Sequence, residues 1–165
     1  DAGLALKVTD KNVVVFDIAK YEAAEPVMTI TKGKDNIISF DCRTTIHEIY
    51  RACHVKYKHG KKDELIEYTF TDSKRTTGRT LEVNEKVVSI EEAEKLAKKK
   101  LREKNLDEVA VSLHMVGHFA LLASNTVTLA GFHVYDGKYL ITRSSHEIGG
   151  GYTTKIELRR VIDGY

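Results

Sequence analysis

Proline is nearly missing from this sequence. Pro26 is the only one, so little interrupts its extended runs. Cysteine is almost as scarce: Cys42 and Cys53 are too few for a disulfide framework and suggest a reducing compartment, with a single bridge left open. Long apolar runs are absent, since stretches such as Phe119 to Ala123 fall far below the about 18 residues a membrane-spanning helix needs. No basic-then-apolar secretory signal opens the chain. An excess of one charge is also lacking. The 26 Lys+Arg face 24 Asp+Glu, a net charge of +2, which gives no reason to expect wholesale attraction to nucleic acid or an anionic membrane. What is present suffices for a real core: 165 residues, 42% hydrophobic, fit one domain or one domain with a smaller appendage, not a disordered tail. Asp1 stands where a start methionine would, so a piece of a longer protein is expected.

The dominant rhythm is period two. Leu4, Leu6 and Val8, then Thr9 to Asn12, then Val13 to Phe16 read as a hairpin. Val27 to Thr31 and Asn36 to Phe40 flank the turn-like Lys32-Gly33-Lys34-Asp35 and read as a second one. The segment Ile46 to Tyr57 admits two readings. Thr45 with Glu48 resembles a capping box, and Ile46, Ile49, Tyr50 and Cys53 would share a helix face. Against that, Cys53, Val55 and Tyr57 alternate with His54, Lys56 and Lys58, which favours a strand from about Ile49 to Lys58 hairpinned to Glu64 to Thr71.

One helix is plain, over residues 89–104. Ser89 and Glu92 form a capping pattern, Ala93, Leu96, Ala97 and Leu101 make one apolar stripe, and acidic residues precede basic ones along the polar face. After it the chain returns to strands. Val109, Val111, Leu113 and Met115 share a face, Val127 and Leu129 share another, and Tyr139 and Ile141 lead to a strand from Tyr152 to Leu158. Turns fall at Gly131 to Gly137 and Glu147 to Gly151. The expected fold class is mainly β (α+β), a β-barrel-like domain with one amphipathic surface helix.

The search for chemistry returns little. Cys42, His47, Cys53, His54 and His59 lie close in sequence but lack zinc-finger spacing, and on a strand Cys53 and His54 point to opposite faces. His114, His118, His133 and His146 are dispersed. No Gly-x-Ser-x-Gly elbow or phosphate-binding loop appears, and Glu147 to Gly151 reads as a hairpin turn. Glu91-Glu92 and Asp107-Glu108 read as solvated charges rather than a glycosidase pair. The basic cluster Lys56, Lys58, His59, Lys61 and Lys62, with Tyr57 among them, has the composition of a nucleic-acid-binding hairpin. Asp63, Glu64 and Glu67 blunt its field, so lysines guarding an exposed hairpin are the better reading. No catalytic residue, metal ligand or cofactor is assigned.

From Ser89 to Val161 the chain carries a more specific order. Glu92-Ala93-Glu94-Lys95-Leu96-Ala97-Lys98-Lys99-Lys100-Leu101-Arg102 is followed by a strand, Gly117, and Val127-Thr128-Leu129-Ala130-Gly131-Phe132. Asp136-Gly137-Lys138-Tyr139 to Arg143 then runs to His146, and Gly149-Gly150-Gly151-Tyr152-Thr153-Thr154 leads to Glu157-Leu158-Arg159-Arg160. This order closely resembles the late control protein D family of phage contractile tails, the baseplate hub proteins. Two places depart from that pattern. Ser124-Asn125 replaces a glycine, with Asn expected to take the turn, and His114 and His118 flank Gly117 in place of apolar or small residues.

The resemblance implies a trimer whose two related barrels per chain make a ring of six similar units, as in T-even phage hubs and the N-terminal part of type VI secretion spike proteins. Such a ring joins the tail tube protein to the spike protein. The implied role is structural, without enzymatic activity, in the virion's tail baseplate, assembled in the host bacterial cytoplasm, with no membrane and no specific nucleic acid partner. Residues 1–25 would end a preceding hub domain and residues 26–165 form the tube domain. The strands Lys138 to Ser145 and Gly151 to Val161 would lie at the barrel centre, Tyr139, Ile141, Tyr152, Ile156 and Leu158 inward, Lys155, Glu157 and Arg159 outside, the helix stripe covering one barrel face. Two other classes compete: an oligonucleotide/oligosaccharide-binding barrel using the Lys56 to Lys62 hairpin, and a cell-wall hydrolase, for which no acid–nucleophile pair is found.

Overall fold

The computed structural model describes residues 4–9, 12–58, 65–162 and 164–165. In chain order its elements are β1 (Leu4–Thr9), β2 (Asn12–Asp17), α1 (Ile18–Ala23), β3 (Thr29–Thr31), β4 (Ile37–Thr44), β5 (Tyr50–Lys58) and β6 (Leu65–Thr71). There follow β7 (Arg79–Val83), α2 (Ile90–Asn105), β8 (Val109–Val116), β9 (Thr126–Ala130), β10 (Gly137–Ile148) and β11 (Tyr152–Arg160). Mainly strands with one long helix, the chain has the α+β, barrel-like character its rhythm predicts. It divides into two compact units, residues 1–44 with 109–161 and residues 45–108 with 162–165.

In the first unit β1 and β2 form the expected antiparallel hairpin, Leu4 opposite Asp17 and Thr9 opposite Asn12; Asp10 and Lys11 of its turn lie outside the described residues. The second expected hairpin does not form. A six-stranded sheet runs β3-β9-β10-β11-β8-β4, so the two segments flanking Lys32 to Asp35 occupy its opposite edges. Period-two alternation reveals which face a residue occupies but not which strand lies beside it. β3 finds a parallel partner in β9, and β4 an antiparallel one in β8.

That connection forces the sheet to curl. The N–H groups of Lys34 and Asp35 both donate to the Thr31 carbonyl, at 3.2 and 3.0 Å, and the Asp35 carboxylate accepts from the Thr31 N–H at 2.6 Å. So tight a turn cannot bridge the roughly 24 Å that five strand spacings would place between the edges of a flat sheet. The edges are drawn together instead, and Phe40 of β4 meets Phe132, just past β9, edge to face at 5.4 Å. Inside the curl, Val109, Val111, Leu113 and Met115 of β8 are all buried, as are Tyr139, Ile141, Ile156 and Leu158 of the central pair β10–β11. Arg159, expected in solvent, is instead largely covered. Glu22 of α1 packs over it, and the two side chains meet at 2.6 Å with 11% and 4% of their surface exposed.

The second unit is a three-stranded sheet, β6-β5-β7, under α2. The strand reading of residues 49–58 prevails over the helical one. Ser89 caps α2 by accepting the Glu92 N–H at 3.2 Å, and Glu92 reaches back one residue further than a capping box does, to the Val88 N–H at 2.7 Å. The buried stripe is Ala93, Ala97, Leu101 and Asn105, with Leu96 only half-buried at its border. It lies on β5 and β6, against Cys53 and Val55 of the three-stranded sheet. Asn105 is no apolar residue, yet it is 1% exposed. Its side-chain amide accepts from the Tyr50 N–H and donates to the Tyr50 carbonyl, both at 2.9 Å, pairing with the first residue of β5 as a neighbouring strand would.

Candidate assembly surface

Five large apolar side chains stand exposed at one end of the six-stranded sheet or in the loop that leaves it. β8 ends at Val116 and β10 at Ile148, and Thr153 beside Tyr152 lies opposite Val116. Ile38 sits in the irregularity at the start of β4, beside the pairing of Ile37 with Met115. The loop 117–125 leaves from the same end. Val116, Ile148, Ile38, Phe119 and Leu122 are all exposed, Phe119 by 80% and Ile148 by 86%. A group of this kind is the usual mark of a protein-binding surface.

The loop that carries Phe119 and Leu122 is fastened by a polar cluster centred on His146. His146 Nε2 lies 3.1 Å from the Leu121 carbonyl and 3.0 Å from Ser144 Oγ. Its Nδ1 lies 2.8 Å from the Tyr152 hydroxyl and 3.2 Å from Thr154 Oγ1. Thr154 Oγ1 in turn accepts the His118 N–H at 3.1 Å. A carbonyl can only accept, so Nε2 carries the ring proton and Nδ1 receives one from Tyr152. Gly117 makes the crossing geometrically feasible: a Cβ there would stand 2.1 Å from Tyr152 Cγ. The Gly117 N–H donates to the Tyr152 carbonyl at 2.7 Å. Ser124, not Asn125, takes the positive φ of this loop, at 77°. Asn125 donates from Nδ2 to the Ala120 carbonyl at 2.9 Å.

Ser144, His146 and Tyr152 line up in the order of a nucleophile, a base and an orienting partner. Their hydrogen bonds do not suit that chemistry. The Ser144 hydroxyl donates to the Leu121 carbonyl, and the imidazole nitrogen facing it already holds the proton, leaving no lone pair to accept the serine's. The arrangement ties down a loop.

The face of the sheet opposite its core is polar and ordered in rows across four strands. Ser39, His114, Lys155 and Ser145 form one row, and Asp41, Ser112, Glu157 and Arg143 the next. The short serines leave a depression of about 500 Å³ there. Its charges are balanced: Lys155 meets Glu147 at 2.9 Å and Arg143 meets Glu157 at 3.7 Å. Lys155 thereby holds the Glu147 carboxyl below its usual range.

The other residues weighed for chemistry are dispersed. Cys42 lies in the first unit and Cys53 in the second, both as free thiols, and burial pushes the Cys53 thiol up to about 11. Among the described residues no three or more His, Cys, Asp or Glu side chains gather as a metal site would require. Glu92 is occupied as a cap, and both oxygens of Glu108 accept from the Arg75 guanidinium. Of the basic hairpin, His59, Lys61 and Lys62 lie outside the described residues. Lys56 pairs with Glu67 at 3.1 Å. Tyr57 turns toward the core under α2 instead of offering a stacking platform.

No protein family matches the sequence as a profile, and no curated protein matches it. The fold does have relatives among solved structures. A tail protein from Neisseria meningitidis MC58 superimposes with a TM-score of 0.71 at 17% identity, over 96% of this chain and 51% of that one. The fold is one shared with phage tail proteins. The prophage MuSo2 tail protein of Shewanella oneidensis gives a TM-score of 0.74 at 16% identity, over 96% and 51% of the two chains. A prophage tail protein from Listeria monocytogenes EGD-e gives 0.60 at 13% identity, over 98% and 50%. The chain thus spans about half the length of these tail proteins.

Proposed function

We propose that this chain is a structural component of a phage or phage-like contractile tail. Within that role we infer a baseplate hub portion, acting without enzymatic activity, that joins the tail tube to the spike through a trimeric ring made by the full-length protein. Residues 1–25 would close a preceding hub domain, and residues 26–165 would form the tube domain. The reading is carried by the curled six-stranded sheet shared with tail proteins over nearly the whole chain. The apolar end around Phe119 and Ile148 supports it, because a surface built for assembly exposes what a monomer would hide. The partners would be further copies of the full-length protein, the tail tube protein and the spike protein, assembled in the bacterial cytoplasm and carried in the virion baseplate. Co-expression of the full-length protein with the tube and spike proteins of its own tail tests this. The expected result is a complex retaining all three, lost when Phe119 and Ile148 are both changed to Asp; folded full-length protein that binds neither partner would overturn the reading.

A further inference from the structure

Among the described residues β4 is the outermost strand of the six-stranded sheet, paired with β8 on one side only. It is eight residues long and exposed along most of its length, whereas the opposite edge, β3, is three residues. An open edge of that length is a template for another strand, and the residues of β4 specify which. Asp41 and Arg43 stand two apart on the same face, 3.1 Å from each other, with 64% and 75% of their side chains exposed. In an antiparallel pair related by a two-fold axis through Cys42, Asp41 of each copy lies opposite Arg43 of the other, and Phe40 opposite Thr44. Moving the axis one residue either way opposes Asp41 to Asp41 or Arg43 to Arg43, which is repulsive. Moving it by half a residue, a register slip of one, sets the core face of one copy against the solvent face of the other. One register alone matches both charge and face.

We propose that a second copy of this chain docks on β4, antiparallel, about a two-fold axis at Cys42, so that the two six-stranded sheets run on as one. The contact is isologous: each copy contributes the same strand and the same ion pair. It belongs to the chain by itself and stands whether or not the tail role holds. The register also carries its own reporter. Residues directly opposite in an antiparallel pair have Cα atoms about 4.5–5.5 Å apart, inside the roughly 4.4–6.8 Å a disulfide spans, so the two Cys42 thiols would face each other.

Sedimentation of the chain at low salt is expected to show a dimer that weakens as salt rises. Asp41→Arg and Arg43→Asp each replace two attractive pairs by two repulsive ones and should loosen the dimer about tenfold or more. Mixing the two variants restores opposite charges at both positions and should give a mixed dimer as tight as the original. Diamide, which takes two electrons and two protons from a pair of thiols, should link the copies through Cys42 and not through Cys53. Cys42→Ser should remain dimeric but unlinked. Because both charged side chains are exposed, circular dichroism of the variants should match the parent. A chain that stays monomeric at high micromolar concentration, a dimer indifferent to both reversals, or variants that fail to pair on mixing would each overturn the proposal.

Discussion

His146 shows how one side chain can organise a loop. Through its two nitrogens it reaches the Leu121 carbonyl and the Tyr152 hydroxyl, so a single ring fastens the loop 117–125 to the hairpin of β10 and β11. Replacing His146 with Ala should cost about 2 kcal/mol in urea unfolding, since several partly buried partners lose their bonds together. It should also open cleavage near Phe119 to limited proteolysis while the far-UV spectrum stays unchanged. Gly117→Ala attacks the same place by sterics and should cost about 1–3 kcal/mol; Gly149→Ala, with open space around the new methyl, should cost far less in the same assay. Two titrations have clear signs. The Glu147 carboxyl is held low by Lys155, so its contribution is present above the ordinary carboxylate range and fades as pH falls through the lowered value. Cys53 behaves in the opposite sense. Its folded thiol is raised from 9.0 to about 11, so stability should decline from about pH 9 upward through 11 as the unfolded chain ionises first. Thermal melts between pH 8 and 11 on the parent and Cys53→Ala check this: the variant should lose part of the decline.

Elements differ in how plainly the sequence announced them. α2 was legible to within a residue because its cap, stripe and charge gradient are all local signals. β10 and β11 were legible because the glycines at 149–151 fix a turn and the alternation on either side fixes the faces. The pairing of His146 with Thr154 across that turn was readable from the same register, though nothing singled out the histidine as its centre. What the sequence withheld was partnership. β3 and β4 flank a turn as the sequence suggests, yet a parallel match to β9 and an antiparallel match to β8 separate them. The helix stripe was legible in Ala93, Ala97 and Leu101, while Leu96 proves half-buried and the buried Asn105 was not foreseen. The energetic consequence is specific. Leu101 is fully buried on the inner face of α2, so Leu101→Ala should cost about 2–5 kcal/mol. Leu96→Ala, at the half-buried border, should cost clearly less in the same denaturant titration.

At the scale of the whole molecule, the chain path explains how two units share one polypeptide. Thr44, the last residue of β4, lies opposite Val109, the first of β8. The second unit is therefore an excursion inserted into what would otherwise be a simple hairpin. Joining Thr44 to Val109 through a short Asn-Gly turn should leave the first unit folded, with a dispersed amide spectrum, because the ladder on both sides of the cut is already in register. The likeness to phage tail proteins extends over nearly the whole chain but only about half of theirs, so the assembly role is best tested on the full-length protein. Electron microscopy of that protein, folded and soluble, is the most direct measurement. A threefold ring built from barrel-like lobes is the predicted image; a population of separate, folded particles with no ring, alone or with the tube and spike proteins present, would contradict the account.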